Sequence, residues 1–173
     1  MKQNGTCCFT GSRPQNLSYG FNEQHPACVQ LKALLHHEIE TLITQHDISH
    51  FISGMALGVD QWAAEAVLVL KKTYPHITLE SAIPCETQAD SWRLNERDRY
   101  FSIASKCDKE TMLQRGYTKG CMQRRNCYMV ENSHIVLAVW SGKPGGTSAT
   151  IKYAHRRGKV VVCINPETLQ VIR

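Results

Sequence analysis

The stretch "HIVLAVWSGKPGGTSATIKYAHRRGKVVVCI", residues 134–164, joins two apolar runs through a glycine pair and a segment with helical periodicity. The runs at 134–140 and 159–164 are continuous, as in strands that are buried on both faces of a parallel sheet. Between them, Ile151 and Ala154 lie on one side of a helix for which Gly158 is a natural C-cap. The stretch therefore predicts two parallel strands that are joined by a crossover helix.

The same alternation extends outward over the rest of the chain. Further strands are predicted at 6–10, 49–53, 77–83 and 110–114, and helices at 26–45, after 60, at 87–105 and at 119–132. The inward residues are expected to be Trp92, Tyr100 and Ile103 on the third helix and Met122, Asn126, Met129 and Val130 on the fourth. This order predicts an α/β, Rossmann-like fold in one domain over residues 1–173, with a mostly parallel sheet and helices on both faces.

The composition is that of a globular protein, with 42% apolar and 20% charged residues in a chain of 173. The longest apolar runs are much shorter than the roughly 18 residues of a membrane span. Residues 1–15 also lack the apolar stretch of a signal peptide, so we expect a cytoplasmic protein without a membrane partner. The net charge of +5 is compatible with an anionic ligand, but no block of like charges marks a nucleic-acid tail.

Eight cysteines are many for this length, but their spacing is typical of neither zinc sites nor redox motifs. Several lie within apolar runs, as Cys163 does, where a free thiol behaves as a small buried side chain. Disulfides are rare in cytosolic domains. We therefore expect reduced structural thiols, and neither a metal site nor a bound cofactor.

Five polar loops follow the first five predicted strands. They read "TGSRP" (10–14), "SGMALGVD" (53–60), "IPCETQ" (83–88), "QRGYTKG" (114–120) and "WSGKPGGTS" (140–148). In a parallel sheet all of these loops emerge at the carboxyl edge, where open α/β folds bind ligands near the point at which strand order reverses. The position of the loops therefore predicts a ligand site more strongly than any single motif does.

The last of these loops has the chemistry of a phosphate site. Gly145 and Gly146 leave the amides of Thr147 and Ser148 open at the positive end of a helix. The two hydroxyls can add donors or simply cap the helix. Arg13, in the first loop, can clamp a phosphate with two hydrogen bonds.

The second loop has a similar glycine pattern, with Gly54 and Gly58 ahead of a helix. Asp60, in the first turn of that helix, can hold a ribose hydroxyl or merely cap the helix. The chain contains neither G-x-x-x-x-G-K-[ST] nor a G-x-G-x-x-G after the first strand. A P-loop kinase and an ordinary dehydrogenase are therefore both disfavoured.

Five segments together resemble the YpsA-like family of the SLOG superfamily, which also includes the Smf/DprA DNA-processing proteins and the LONELY GUY phosphoribohydrolases. They are "TGSRP", "SGMALGVDQWAAE", "IPCETQ", "RRNCYMVENS" and "VWSGKPGGTSATIKYA", and the resemblance runs from residue 7 to about 166. It implies a Rossmann-like protein that binds nucleotide-derived ligands, often as an oligomer. The matching residues are Gly11, Ser12, Arg13, Ser53, Gly54, Gly58, Asp60, Arg125, Asn126, Gly145, Gly146 and Thr147.

We therefore expect a homo-oligomeric sensor or regulatory protein that binds the phosphate and ribose of a small nucleotide-derived molecule. One alternative is cleavage of an N-glycosidic bond, as in phosphoribohydrolases. "GGTSATIK" departs from the G-G-x-G-T and following glutamates of the LONELY GUY enzymes. Catalysis would then depend on substitute acids, for which the weak candidates are Asp60, Glu65 and Glu86.

A second alternative is single-stranded DNA binding, which requires a basic groove and stacking aromatic side chains. Trp62, Trp92 and Trp140 lie near the loop edge, and tryptophans at strand ends are more often packing residues. The arginine pairs at 124–125 and 156–157 are each expected to lie on the solvated face of a helix. Single-stranded DNA is therefore the less favoured partner.

Overall fold

A computed structural model describes residues 4–173. Residues 1–3, which belong both to the expected domain (1–173) and to the N-terminal stretch 1–15, lie outside the described residues. The strands are β1 (Gly5–Gly11), β2 (Ile48–Ser53), β3 (Thr78–Ile83), β4 (Lys109–Met112), β5 (Ile135–Val139), β6 (Val160–Ile164) and β7 (Val171–Ile172). The helices are α1 (Pro26–Gln45), α2 (Val59–Leu70), α3 (Leu94–Ala104), α4 (Cys121–Glu131) and α5 (Gly146–Arg156). The alternation of strands and helices confirms the predicted α/β, Rossmann-like fold.

The seven strands form one sheet in the order β4-β3-β2-β1-β5-β6-β7. Neighbouring strands from β4 to β6 pair in parallel, and only β7 is antiparallel to its neighbour. Strand order reverses at β1, which pairs with β2 on one side and with β5 on the other. This reversal opens a crevice at the carboxyl ends of β1 and β5.

Helices cover both faces of the sheet, and successive strand residues point to opposite faces, so neighbours in a strand pack against different helices. Cys7 belongs to a large core that contains residues of α1, α2 and α3, whereas Cys8 belongs to a smaller core that contains residues of α4 and α5. In the large core Phe9 and Phe51 stack with ring centroids 5.8 Å apart. All eight cysteine thiols are free, and five of them are buried.

The start of α3 and the burial of Trp92 differ from expectation, and the last strand was not predicted. Helix α3 begins at Leu94 rather than at residue 87, because residues 86–92 form turns and bends after Pro84. Trp92 is only half-buried and packs edge-on against Tyr100, with ring centroids 5.5 Å apart. Strand β7 was not expected, since two residues are too few for a periodic pattern.

The buried face of α4 also differs from the expected one. Met129 and Val130 are buried as predicted, but Met122 and Asn126 are only half-buried. Arg125 takes the inner position instead, with 3% of its surface exposed, so this arginine does not lie on a solvated face. No helix within residues 4–173 is both long and apolar enough to cross a membrane.

Candidate functional site

A cavity of about 550 Å³ lies at the carboxyl edge of the sheet, where strand order reverses. The loops after β1 and β5, the first turns of α2, α4 and α5, and the turn after β6 form its walls. The predicted residues that line it are Gly11, Ser12, Arg13, Asp60, Arg125, Asn126, Gly145, Gly146 and Thr147. These predicted residues come from four segments of the chain: three of the five polar loops (10–14, 53–60 and 140–148) and α4. The loops at 83–88 and 114–120 contribute no residue to the lining.

The first turn of α5 presents backbone to this cavity. Gly145 has φ 153° and ψ −164°, a conformation that essentially only glycine adopts. A Cβ at Gly145 or Gly146 would meet no atom within 4 Å, so the backbone here faces open space. Ser148 is buried, accepts a hydrogen bond from the Gly145 amide and donates one to the Gly145 carbonyl, both at 3.0 Å. Ser148 therefore holds the turn, and Thr147 is left to face the cavity.

These two glycines make a matched test of the turn. Gly145→Ala is expected to lower the free energy of unfolding by about 1–3 kcal/mol, because alanine is strained in this conformation. Gly146→Ala lies inside the helix and is expected to leave stability unchanged or to raise it by up to about 1 kcal/mol. Urea unfolding of both variants at pH 7 measures the difference. Equal stabilities would show that the Gly145 conformation is not required by the fold.

The glycines of the first two loops pack the walls of the cavity. A Cβ at Gly11 would lie 2.5 Å from Cγ1 of Val59, so only glycine lets α2 approach β1 this closely. Gly58 has φ +89°, and a Cβ there would lie 2.9 Å from Cδ of Pro14. Pro14 begins a one-turn 3-10 helix, Pro14–Asn16, that continues the loop after β1. Gly58 thus joins two loops to each other and does not itself line the cavity.

Ser53 and Gly54 also support the site from behind. The fully buried Ser53 hydroxyl donates to the Asp60 carbonyl at 2.8 Å and accepts from the Met55 amide at 3.1 Å. The Gly54 carbonyl accepts hydrogen bonds from Arg125 Nη1 and, at 3.0 Å, from Gln88 Nε2. Neither Ser53 nor Gly54 lines the cavity, so their polar groups serve the loop.

Asp60 and Arg125 form the charged floor of the cavity, with 6% and 3% of their surfaces exposed. Asp60 Oδ2 accepts from the Ala56 amide at 3.3 Å, and Arg125 Nε donates to Asn126 Oδ1 at 2.8 Å. Burial raises the pKa of Asp60, while the positive charges of Arg125 and Arg13 oppose that rise. Burial lowers the pKa of Arg125, and the charge of Asp60 opposes that fall. Each of the two charges therefore favours the ionised form of the other.

Positive charge exceeds negative charge in the cavity lining. Three cations, Arg13, Arg125 and Lys143, stand against two carboxylates, Asp60 and Glu167. Within residues 4–173, neither Arg13 nor Lys143 forms a salt bridge. An anion is therefore the ligand that this lining favours.

The structure does not bring the other candidate acids to the cavity. Glu65 pairs with Arg99 of α3 at 2.7 Å, and the exposed Glu86 pairs with Arg115 at 3.2 Å; neither acid lines the cavity. Sequence reasoning missed several lining residues, among them Asn16, Lys143 and Glu167. Lys143 lies in the loop between β5 and α5, close to the glycine pair, so its position in the sequence is a signal for a lining residue. Glu167 follows β6 without any motif around it.

Comparison with known proteins relates these segments to a family. The YpsA family model, described as "YspA SLOG family", matches residues 7–169, from within β1 to the turn after β6. The SPbeta prophage-derived protein YoqJ of Bacillus subtilis is 31% identical over 145 residues, covering 77% of this chain and 85% of YoqJ. A UPF0398 protein of Bacillus cereus is 30% identical over 154 residues, covering 87% of this chain and 83% of that protein.

Two solved structures share the fold. DNA processing protein A of Streptococcus pneumoniae superposes with a TM-score of 0.63 at 17% sequence identity, over 96% of this chain. DNA processing protein A of Helicobacter pylori gives 0.60 at 18% identity, over 92% of this chain. The present chain spans 52% and 65% of the two proteins, and at these identities the likeness concerns the fold alone.

Proposed function

The chain belongs to the YpsA family of SLOG proteins, and we propose that it binds the phosphate of a small nucleotide-derived ligand at the carboxyl edge of its sheet. One observation carries the proposal: the open backbone of Gly145 and Gly146, at the start of α5, faces the same cavity as Arg13 and Lys143. Backbone amides at a helix N-terminus and nearby cations are together suited to a phosphate. In this proposal the protein is a sensor or regulatory protein that responds to binding of the ligand.

In this assignment Gly145, Gly146, Thr147 and Arg13 hold the phosphate. Asp60 lines the cavity from the first turn of α2. Its expected hydrogen bond to a ribose hydroxyl stays a prediction. Arg125 and Asn126 add donors on the α4 side of the cavity.

The proposal is tested by thermal unfolding with nucleoside monophosphates, ADP-ribose and NAD. A ligand at about 100 times its dissociation constant stabilises the native state by about 2.7 kcal/mol, which raises the melting temperature by roughly 5–10 °C. Thr147→Asp places a negative charge at the phosphate position, and Arg13→Ala removes a cation. Both variants are expected to lose most of this rise.

Arg156→Ala is the matched control, because Arg156 is exposed on α5, packs over Tyr153 and does not line the cavity. It should keep the full rise in melting temperature. If Thr147→Asp and Arg13→Ala both bind nucleotide as the unaltered protein does, the phosphate assignment is wrong.

Single-stranded DNA is the second candidate ligand, since the structurally similar DNA processing protein A of H. pylori binds single-stranded DNA. The tryptophans of this chain support it weakly: Trp62 is buried in the core and Trp92 packs on Tyr100, which leaves Trp140 at the cavity. A short oligonucleotide belongs in the same thermal screen. A rise with the oligonucleotide and none with small molecules would favour this candidate.

A further inference from the structure

We propose that Glu167 is the residue that makes the site select ribonucleotides over deoxyribonucleotides, by accepting hydrogen bonds from the sugar hydroxyls. The inference rests on the proposed nucleotide site and goes beyond it, because it assigns a specificity to one side chain. Glu167 lines the same cavity as the first turn of α5, although it comes from a different strand end.

The turn that carries Glu167 is held by hydrogen bonds. Asn165 Oδ1 accepts from the Glu167 amide at 2.8 Å and from the Thr168 amide at 3.2 Å. The Leu169 amide donates to the Asn165 carbonyl at 2.9 Å, and Leu169 adopts φ +59° to close the turn. Strand β7 then pairs with β6 and fixes the end of the turn to the sheet. The backbone of Glu167 is thus anchored on both sides.

The side chain of Glu167 is exposed and belongs to the cavity lining. None of the hydrogen bonds or salt bridges within residues 4–173 uses it, whereas the carboxylate of Asp60 accepts from Ala56 and lies beside the buried charge of Arg125. Because Glu167 lines the cavity and is exposed, its carboxylate is available to accept hydrogen bonds from a ligand there. In dinucleotide-binding α/β folds a carboxylate from a different position in the chain hydrogen-bonds the ribose 2′-hydroxyl, which shows the chemistry that a carboxylate can supply.

Placement favours the sugar over the other parts of a nucleotide. Strands β5 and β6 are neighbours, with Val139 paired to Ile164, so the turn after β6 lies beside the loop that leads into α5. Neighbouring strands are about 4.8 Å apart. In a 5′-nucleotide the sugar is directly bonded to the phosphate, so a side chain beside the phosphate position meets the sugar before it meets the base.

The test measures dissociation constants of AMP, GMP and CMP and of their 2′-deoxy forms by isothermal titration calorimetry. We expect the unaltered protein to bind the ribonucleotide form at least tenfold more tightly, because a hydrogen bond to a charged group is lost in the deoxy form. Glu167→Ala and Glu167→Gln should bring this ratio to below about threefold. Glu110→Gln, which changes an exposed glutamate on β4 away from the cavity, should leave it unchanged.

The outcomes separate the inference from the proposed function. If ribonucleotides and deoxyribonucleotides both bind and Glu167→Ala does not change their ratio, the nucleotide site stands and the role of Glu167 is overturned. That role is likewise overturned if Asp60→Asn abolishes the ratio while Glu167→Ala keeps it. If no nucleotide binds the unaltered protein, the proposed function fails and the inference fails with it.

Discussion

Replacing Arg125 with methionine is expected to lower the free energy of unfolding by about 3 kcal/mol at pH 7. The reason is that the variant leaves the buried carboxylate of Asp60 without its main opposing charge. It also removes one of the two donors to the Gly54 carbonyl, so that Gln88 Nε2 alone remains. Urea unfolding at pH 7 measures the loss.

The loss should become smaller as the pH falls. Burial raises the pKa of Asp60 above its ordinary value of 3.8, and removal of Arg125 raises it further, because Arg125 acts to lower it. When the pKa of an acid is higher in the folded state than in the unfolded state, its ionisation destabilises the folded state at pH values above the raised pKa. This penalty disappears at pH values below the ordinary pKa of the unfolded state. We therefore expect a larger difference between variant and unaltered protein at pH 7 than at pH 4.

A double variant identifies the cause. Asp60→Asn in the Arg125→Met background removes the unpaired charge and should recover most of the lost stability. If the double variant is as unstable as Arg125→Met alone, the loss comes from packing around the arginine rather than from Asp60. Arg125→Met should also weaken nucleotide binding, and that effect should persist in the double variant because the cation stays absent.

Gly54 and Arg125 illustrate how a contact between distant segments determines where the residues of a motif lie. A Cβ at Gly54 would lie 2.5 Å from Arg125 Nη1, so the glycine makes room for the arginine 71 positions later. The glycine is visible in the sequence, but this contact is not. The two residues therefore suggested a ligand loop and a solvated helix face, when together they form a buried support for the cavity.

The parts of the fold that could be predicted are those with strong local patterns. Strands β5 and β6 are continuous apolar runs, and the order of strands and helices left few topologies to consider. Strand β7 could not be predicted, since its pairing with β6 depends on the turn at Asn165 and Leu169. Loop positions predicted a site at the carboxyl edge of the sheet, where the cavity lies, but the place of Glu167 in its lining depends on that same turn.

Glu80 was missed for a related reason, because it is a single acid within the apolar strand β3. In the structure it is 1% exposed and lies at the centre of a polar network. Its carboxylate accepts from Tyr128 at 2.6 Å, Thr111 at 2.7 Å, His50 at 2.9 Å and Lys109 at 3.1 Å. Tyr128 lies on α4, three residues after Arg125. The network therefore holds α4, which carries Arg125 of the charged floor, against the sheet.

Glu80→Gln is expected to remove about 3 kcal/mol of stability at pH 7, the free energy that corresponds to the lowered pKa of this carboxyl group. Burial acts to raise the pKa of Glu80, but hydrogen bonds from His50, Tyr128, Thr111 and Lys109 outweigh it and lower the pKa from 4.5 to about 2. A lowered pKa in the folded state contributes stability that is fully present above pH 4.5 and is lost as the pH falls towards 2. The unaltered protein should therefore lose this contribution between pH 4.5 and 2, and the variant should show a flatter curve over that window.

Urea unfolding at steps from pH 7 to pH 2 compares Glu80→Gln with the unaltered protein and with Glu110→Gln, whose acid is exposed on the neighbouring strand. Some acid sensitivity will remain in every variant, because Arg99 and Lys32 lower the pKa of Glu23 to about 2 despite its partial burial. The informative quantity is the difference between the curves. Parallel curves for Glu80→Gln and the unaltered protein would mean that the network does not favour the charged form of Glu80. In that case α4 would be held to the sheet mainly by the apolar contacts of Met129 and Val130.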